Sequence, residues 1–191
     1  SVNVAIQSKN YDPLTTEIAF FGGSFTAINR NYMLRLLKVA YKFVCDGIVS
    51  GIRISTRPDA IDEEILFLLK QYCVTSIELG AQSLNDTVLM LNNRGHSAKD
   101  VINASNLIKK HGFSLGLQMM TGLFGDTYEN SIYTANEIIK LRPDTVRIYP
   151  TIVLKNTDLA ALYDDKKYKP QTIDEAIELC SELLIMFKDA N

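Results

Sequence analysis

The chain has 191 residues, of which 47% are hydrophobic, so it is long enough to build one domain with a sizeable core. Its 20 basic and 22 acidic side chains give a formal charge of −2, which excludes a strongly basic nucleic-acid-binding domain and an acidic tail. The cysteines, Cys45, Cys73 and Cys180, form no CxxC-type ligand set, and no apolar run approaches the roughly 20 residues of a membrane span. We therefore expect a cytoplasmic protein without a membrane anchor.

Short apolar runs alternate along the chain with longer segments of helical periodicity. The expected strands are 17–21, 51–54, 76–79, 113–119 and 145–149, and the expected helices are 32–44, 62–72, 98–111, 128–141, 157–163 and 172–188. This alternation predicts parallel βα units, and the apolar strands predict a sheet buried on both faces. Five units are too few for an eight-stranded barrel, so they fit either a doubly wound open sheet or part of a barrel.

The turns after the expected strands carry the candidate binding residues, because parallel sheets bind ligands at the carboxyl ends of their strands. These turns are rich in glycine and hydrogen-bonding side chains, and they span 22–26, 55–59, 80–83, 120–126 and 150–151. A single turn of this composition is typical of the connection between a strand and a helix, but five such turns on one rim favour a shared ligand site. The absence of His, Cys or carboxylate clusters among them argues against a hydrolase triad, a zinc centre or a glycosidase carboxylate pair.

The pair Gly22-Gly23 follows the first expected strand directly. It matches neither the dinucleotide fingerprint nor the P-loop. We therefore expect a close approach of the backbone to a ligand other than a pyrophosphate.

Four segments, GIRISTRPD, SIELGAQS, NNRGHS and RIYPTIVLKNTDL, resemble motifs of radical S-adenosylmethionine enzymes. They are most similar to the radical domain of the Elongator catalytic subunit and its short bacterial relatives, and more distantly to oxygen-independent coproporphyrinogen oxidase. The resemblance covers nearly the whole chain. It implies an α/β fold, an incomplete (β/α)6 barrel in which residues 1–191 form a single domain that supplies strands two to six. The first strand and its cluster loop are then expected upstream, in a longer parent protein.

The resemblance also implies residues that bind S-adenosylmethionine. Gly22, Gly23 and Ser24 match a turn whose backbone carbonyls bind the amino group of the cofactor, where a side chain would block the approach. Arg94 matches an arginine that holds the carboxylate of the cofactor, a task suited to a fork-shaped guanidinium. The alternative for Arg94 is a charge that stabilises a helix C-terminus ahead of Gly95.

Three further positions belong to this implied cofactor site. Gln82 and Gln118 match residues that hydrogen-bond the ribose or the methionine part, with an ordinary turn or barrel-interior amide as the alternative. Ser55 stands where the family usually has a glutamate, so one cofactor contact is changed here.

Other residues near these motifs have weaker assignments. His96, in the NNRGHS segment, is either a packed histidine or an acid–base group. Arg57 is either a substrate contact or one half of an ion pair with Asp59 or Glu78. Two residues could face the substrate, Tyr149 and Lys155.

Complete enzymes of this kind carry a 4Fe–4S cluster on a CxxxCxxC loop, and the cluster reduces S-adenosylmethionine to a 5′-deoxyadenosyl radical that abstracts hydrogen from a substrate. No such motif occurs in the sequence, so we expect no metal ligand and no catalytic residue in this chain, and no activity from it alone. The resemblance implies a transfer RNA wobble uridine as substrate and an electron donor as partner. The alternatives are a porphyrin or other small-molecule substrate, a non-catalytic partial barrel that binds a nucleotide or a partner, and a βα enzyme that binds a phosphorylated substrate at 122–126.

Overall fold

Five parallel strands form one sheet in the computed structural model, which describes residues 2–190. The strands are β1 (Glu17–Phe20), β2 (Gly51–Thr56), β3 (Val74–Gln82), β4 (Ser114–Thr121) and β5 (Thr145–Pro150). Their spatial order equals their order in the chain, and every neighbouring pair is parallel. A doubly wound sheet reverses its order at a switch point, so that alternative is wrong and the partial barrel is confirmed.

Helices precede, connect and follow the strands. They are α1 (Val2–Ala5), α2 (Arg30–Cys45), α3 (Glu63–Gln71), α4 (Asp86–Leu91), α5 (Ala98–Lys110), α6 (Tyr128–Leu141), α7 (Asp158–Asp164) and α8 (Ile173–Asp189). The short helices α1 and α4 were not predicted from the sequence. Asn85 is the N-cap of α4, and its side chain accepts hydrogen bonds from two backbone N–H groups. With only six residues, α4 is too short for its apolar residues to show a clear helical periodicity in the sequence. None of the helices within residues 2–190 combines the length and apolarity that crossing a lipid bilayer demands.

The hydrophobic core lies between the helices and the convex face of the sheet. Alternate residues of the central strands are fully buried there: Ile52, Ile54, Ile77, Leu79, Leu115 and Leu117. Buried side chains of α2, α3, α5, α6 and α8 pack against them. Each such Leu or Ile stabilises the fold by about 1.5–3 kcal/mol relative to an exposed position.

The concave face is polar, which corrects the expectation of a sheet buried on both faces. The residues between the core positions are Arg53 and Ser55 on β2, Glu78 on β3, Gln118 on β4 and Arg147 on β5. Of these only Glu78 is buried. Successive strand residues point to opposite faces, so the apolar runs alternate with polar residues along each strand.

Candidate functional site

A cavity of about 470 Å³ lies at the carboxyl ends of the strands. All the residues predicted to bind the cofactor line it: Gly22, Gly23, Ser24, Ser55, Gln82, Arg94 and Gln118. Four of the five strand ends contribute at least one of them, because parallel strands in sequential order end on one rim. A larger hollow of about 980 Å³ between α6, β5 and α8 contains none of these residues.

The glycine turn after β1 has a backbone that only glycine adopts readily. Gly22 has a φ of +92° and Gly23 a φ of +130°. A Cβ added to either residue would meet no atom within 4 Å. The backbone conformation, and not crowding by the protein, therefore explains the glycines, and the space beside them is open to a ligand.

Arg94 is the cation of the cavity that has no counter-ion among residues 2–190. Its Nε atom is buried and has no hydrogen-bond partner there. Burial, and to a lesser degree the charge of Arg57, lower the pKa of the Arg94 guanidinium. A partly buried, unpaired guanidinium fits an incoming anion such as a carboxylate, which would restore its lost solvation.

The other two arginines of the cavity are paired. Arg57 binds Asp59 through two hydrogen bonds of 3.0 and 2.6 Å, so one of the two predicted partners of Arg57 is confirmed. Its other predicted partner, Glu78, instead contacts the guanidinium of Arg147 at 3.0 Å and that of Arg53 at 3.1 Å. Arg94 thus remains as the cavity cation free to take a ligand anion.

The two glutamine side chains use their amides differently. The Gln118 Nε2 donates to the buried Glu78 carboxylate at 2.8 Å and lies 3.5 Å from the Ser55 hydroxyl. Gln118 is therefore both a barrel-interior amide and a residue of the cavity wall. Gln82 ends β3 with a φ of 65°, and its buried Oε1 has no donor among the described residues. An unused acceptor and an unpaired cation on one cavity fit a ligand that carries both a hydroxyl or amino donor and a carboxylate, as S-adenosylmethionine does.

His96 lies beside the cavity wall and is buried. Its Nε2 is 3.1 Å from the carbonyl oxygen of Ala81, and its Nδ1 is 3.2 Å from that of Arg94. The packed-histidine alternative describes this position, since the ring contacts backbone carbonyls of the site and does not line the cavity.

The two residues expected to face the substrate lie apart. Tyr149 of β5 lines the cavity, whereas Lys155 lines a separate hollow of about 680 Å³ beside Tyr163, and substrate contact by either residue stays a prediction. Arg147 of β5 also lines the cavity but was not among the predicted residues, and its guanidinium lies 5.1 Å from the ring centre of Phe21. Arg147 and Tyr149 are two residues apart and therefore lie on the same face of the strand. This spacing could have identified Arg147 once Tyr149 was a candidate.

The loop at 122–126 lines a different hollow from the candidate site. The Asp126 carboxylate accepts hydrogen bonds from the Gly122 N–H and from the Ser131 hydroxyl. Burial raises the pKa of Asp126, although these hydrogen bonds oppose the shift. Because the carboxylate already takes the Gly122 N–H, the loop does not favour a phosphate there.

The residues of the described chain do not fit an iron–sulfur cluster. Between residues 2 and 190, no three His, Cys, Asp or Glu side chains are grouped so that they could hold a metal ion. Cys45 and Cys73 are exposed, Cys180 is partly buried, and all three thiols are free.

Comparisons with known proteins show the family of the chain. Residues 3–138 match the family described as Radical SAM superfamily, and residues 143–190 match the family described as Radical_SAM C-terminal domain. A tRNA uridine(34) acetyltransferase of Methanocaldococcus infernus is 35% identical over 131 residues, which is 67% of this chain and 24% of that protein.

Solved structures show the same fold. The archaeal Elp3 of Methanocaldococcus infernus superposes with a TM-score of 0.84 at 26% identity, over 95% of this chain and 47% of that one. The coproporphyrinogen III oxidase HemN of Escherichia coli superposes with a TM-score of 0.72 at 20% identity, over 91% of this chain and 40% of that one. The chain therefore spans from a quarter to about half of the length of these proteins.

Proposed function

The chain belongs to the radical SAM superfamily, and we propose that its cavity binds S-adenosylmethionine as the cofactor-binding core of a longer enzyme. One observation carries the proposal: the seven residues predicted from the sequence line a single cavity that holds an unpaired guanidinium and an unused amide acceptor. When it is bound and reductively cleaved, the cofactor supplies a radical that abstracts hydrogen from a substrate.

Each group of the cavity has a task in this proposal. Arg94 holds the carboxylate of the cofactor through charge-assisted hydrogen bonds. The turn at Gly22 and Gly23 offers backbone carbonyls to the amino group in a space that no protein atom fills. The free Oε1 of Gln82 accepts from a ribose hydroxyl, and Gln118 presents its own carbonyl oxygen because Glu78 takes its N–H.

The cluster ligands belong, in this proposal, to another part of the complete protein. The described residues offer no such ligand set, and the relatives are two to four times as long as the matched region. Sequencing the gene upstream of the Ser1 codon tests this. A CxxxCxxC motif within roughly fifty to eighty residues, about one βα unit, supports the enzyme. An upstream region without those cysteines would leave a cofactor-binding module without radical chemistry.

Binding of S-adenosylmethionine to the whole chain is the direct test of the cavity. We expect saturable calorimetric binding by the wild type. Arg94→Ala should weaken it by about ten- to a hundredfold, since a hydrogen bond to a charged group contributes roughly 1.5–3 kcal/mol. Arg57→Ala is the matched control, because that arginine lines the same cavity but is already paired with Asp59. Equal losses in the two variants, or no binding by the wild type, would contradict the assignment.

For the complete protein, we propose a transfer RNA wobble uridine as the substrate. The support is the archaeal relative named as a tRNA uridine(34) acetyltransferase and the superposition on Elp3. Mass spectrometry of transfer RNA nucleosides from the source organism, with and without the gene, tests it. Loss of a modified wobble uridine in the deletion strain is expected. An unchanged nucleoside profile would turn attention to a small-molecule substrate.

A further inference from the structure

His96 occupies an unusual position between two carbonyl oxygens. The residue is 8% exposed, and both ring nitrogens face acceptors, Ala81 O at 3.1 Å and Arg94 O at 3.2 Å. A neutral imidazole has one N–H and one lone pair, so it can donate to only one of these oxygens. The imidazolium form donates to both.

The two carbonyls belong to different parts of the site. Ala81 lies on β3, directly before Gln82, whereas Arg94 lies in the turn after α4. That turn contains two positive φ angles, 49° at Asn93 and 73° at Gly95. The Arg94 N–H donates to Leu89 O at 3.0 Å. His96 is therefore the side chain that ties the Arg94 carbonyl to the strand end on which the cavity is built.

We propose that His96 is a positioning residue that fixes Arg94 in the cavity through its contacts with the carbonyl oxygens of Ala81 and Arg94. This inference rests on the proposed function, because Arg94 is the residue assigned to the carboxylate of S-adenosylmethionine. Loss of the two contacts should therefore weaken the binding of the carboxylate end of the cofactor and leave the binding of its nucleoside part unchanged.

The matched experiment measures, at a single pH, the calorimetric affinity of the whole chain for two probes, S-adenosylmethionine and 5′-deoxy-5′-methylthioadenosine. The second probe lacks the carboxylate and the amino group of the cofactor but keeps its nucleoside part. We expect His96→Gln to lose at least about threefold in affinity for S-adenosylmethionine and to bind the second probe as the wild type does.

His111→Gln is the control, since the chain contains two histidines and His111 lies beside Glu63 and does not line the cavity. This variant should bind both probes as the wild type does. Equal affinity of His96→Gln and the wild type for S-adenosylmethionine, or an equal loss for both probes in His96→Gln, would overturn the role of His96.

One measurement keeps this inference separate from the proposed function. Amide exchange at Arg94 and Gly95 should accelerate in His96→Gln relative to the wild type. If the wild type binds no S-adenosylmethionine, the proposed function fails, and this readout still decides the positioning contact. Unchanged exchange at Arg94 and Gly95 overturns the inference even where the cofactor binds.

Discussion

The Gln118 amide nitrogen lies 2.8 Å from the Glu78 carboxylate, and this contact determines which atom of the amide, nitrogen or oxygen, is available to a ligand in the cavity. The carboxylate can only accept, so the amide donates to it and the Gln118 carbonyl oxygen remains for a ligand. Glu78 also contacts Arg53 and Arg147, so one buried carboxylate of β3 binds polar side chains of three other strands, β2, β4 and β5.

Glu78→Gln keeps the shape of the side chain but removes its charge. We expect the free energy of unfolding to fall by about 2–4 kcal/mol, because two arginines lose their buried partner and the Gln118 amide loses its charged acceptor. Urea denaturation measures the change. The control is Glu64→Gln, which breaks an exposed pair with Arg30 and should cost no more than about 1 kcal/mol. Similar costs for the two variants would contradict the organising role of Glu78.

Replacement of Arg94 should separate stability from binding. Arg94→Met removes a partly buried cation that has no counter-ion in the described chain. We therefore expect the ligand-free protein to be unchanged or up to about 1 kcal/mol more stable, while affinity for S-adenosylmethionine is lost. Thermal unfolding with and without the cofactor checks both outcomes. A strongly destabilised Arg94→Met would instead indicate that the arginine has a structural partner.

Glu17 should make the fold sensitive to acid. Burial raises its pKa, but hydrogen bonds from Thr75 and Arg53 outweigh this and leave the pKa lowered. A lowered folded-state pKa contributes stability above the unfolded-state value, and this stability is lost as the pH falls through the folded-state value. The stability difference between wild type and Glu17→Gln should therefore shrink between about pH 5 and pH 3 in urea titrations.

Asp126→Asn should show a pH dependence of stability opposite to that of Glu17→Gln in the same urea titrations. Burial raises the pKa of Asp126, so protonation of this group favours the folded state. The wild type should gain stability relative to Asp126→Asn as the pH falls. Parallel trends in the two variants would contradict the assigned shifts.

Gly23→Ala should reduce both stability and cofactor binding. Its φ of +130° is strained for alanine, and the cost is about 1–3 kcal/mol. Gly47→Ala is the matched control, because Gly47 has a φ of +67° but does not line the cavity. That variant should lose stability and keep its affinity for S-adenosylmethionine. A Gly23→Ala protein that binds the cofactor normally would show that the turn does not contact it.

The sequence predicts the convergence of the site well, because the carboxyl ends of parallel strands meet whatever the details of packing. The positions Gly22, Ser55 and Gln118 could be found on this basis, together with the family resemblance. The alternation of strands and helices could not decide between an open sheet and a partial barrel, since strand order depends on contacts between distant segments, and only the family resemblance predicted the barrel. The contact of His96 with Ala81 spans fifteen residues and leaves no periodic signal in the sequence.

The polarity of the concave face has a thermodynamic consequence. The heat-capacity increment of unfolding rises with newly exposed apolar area and falls with polar area, so it reports mainly on the layer between the convex face and the helices. Substitutions among the polar side chains that line the interior can therefore shift the unfolding temperature while leaving the curvature of the stability curve nearly unchanged. The chemistry of the interior and the temperature profile of the fold are thus set by separate groups of residues, and either can change without the other.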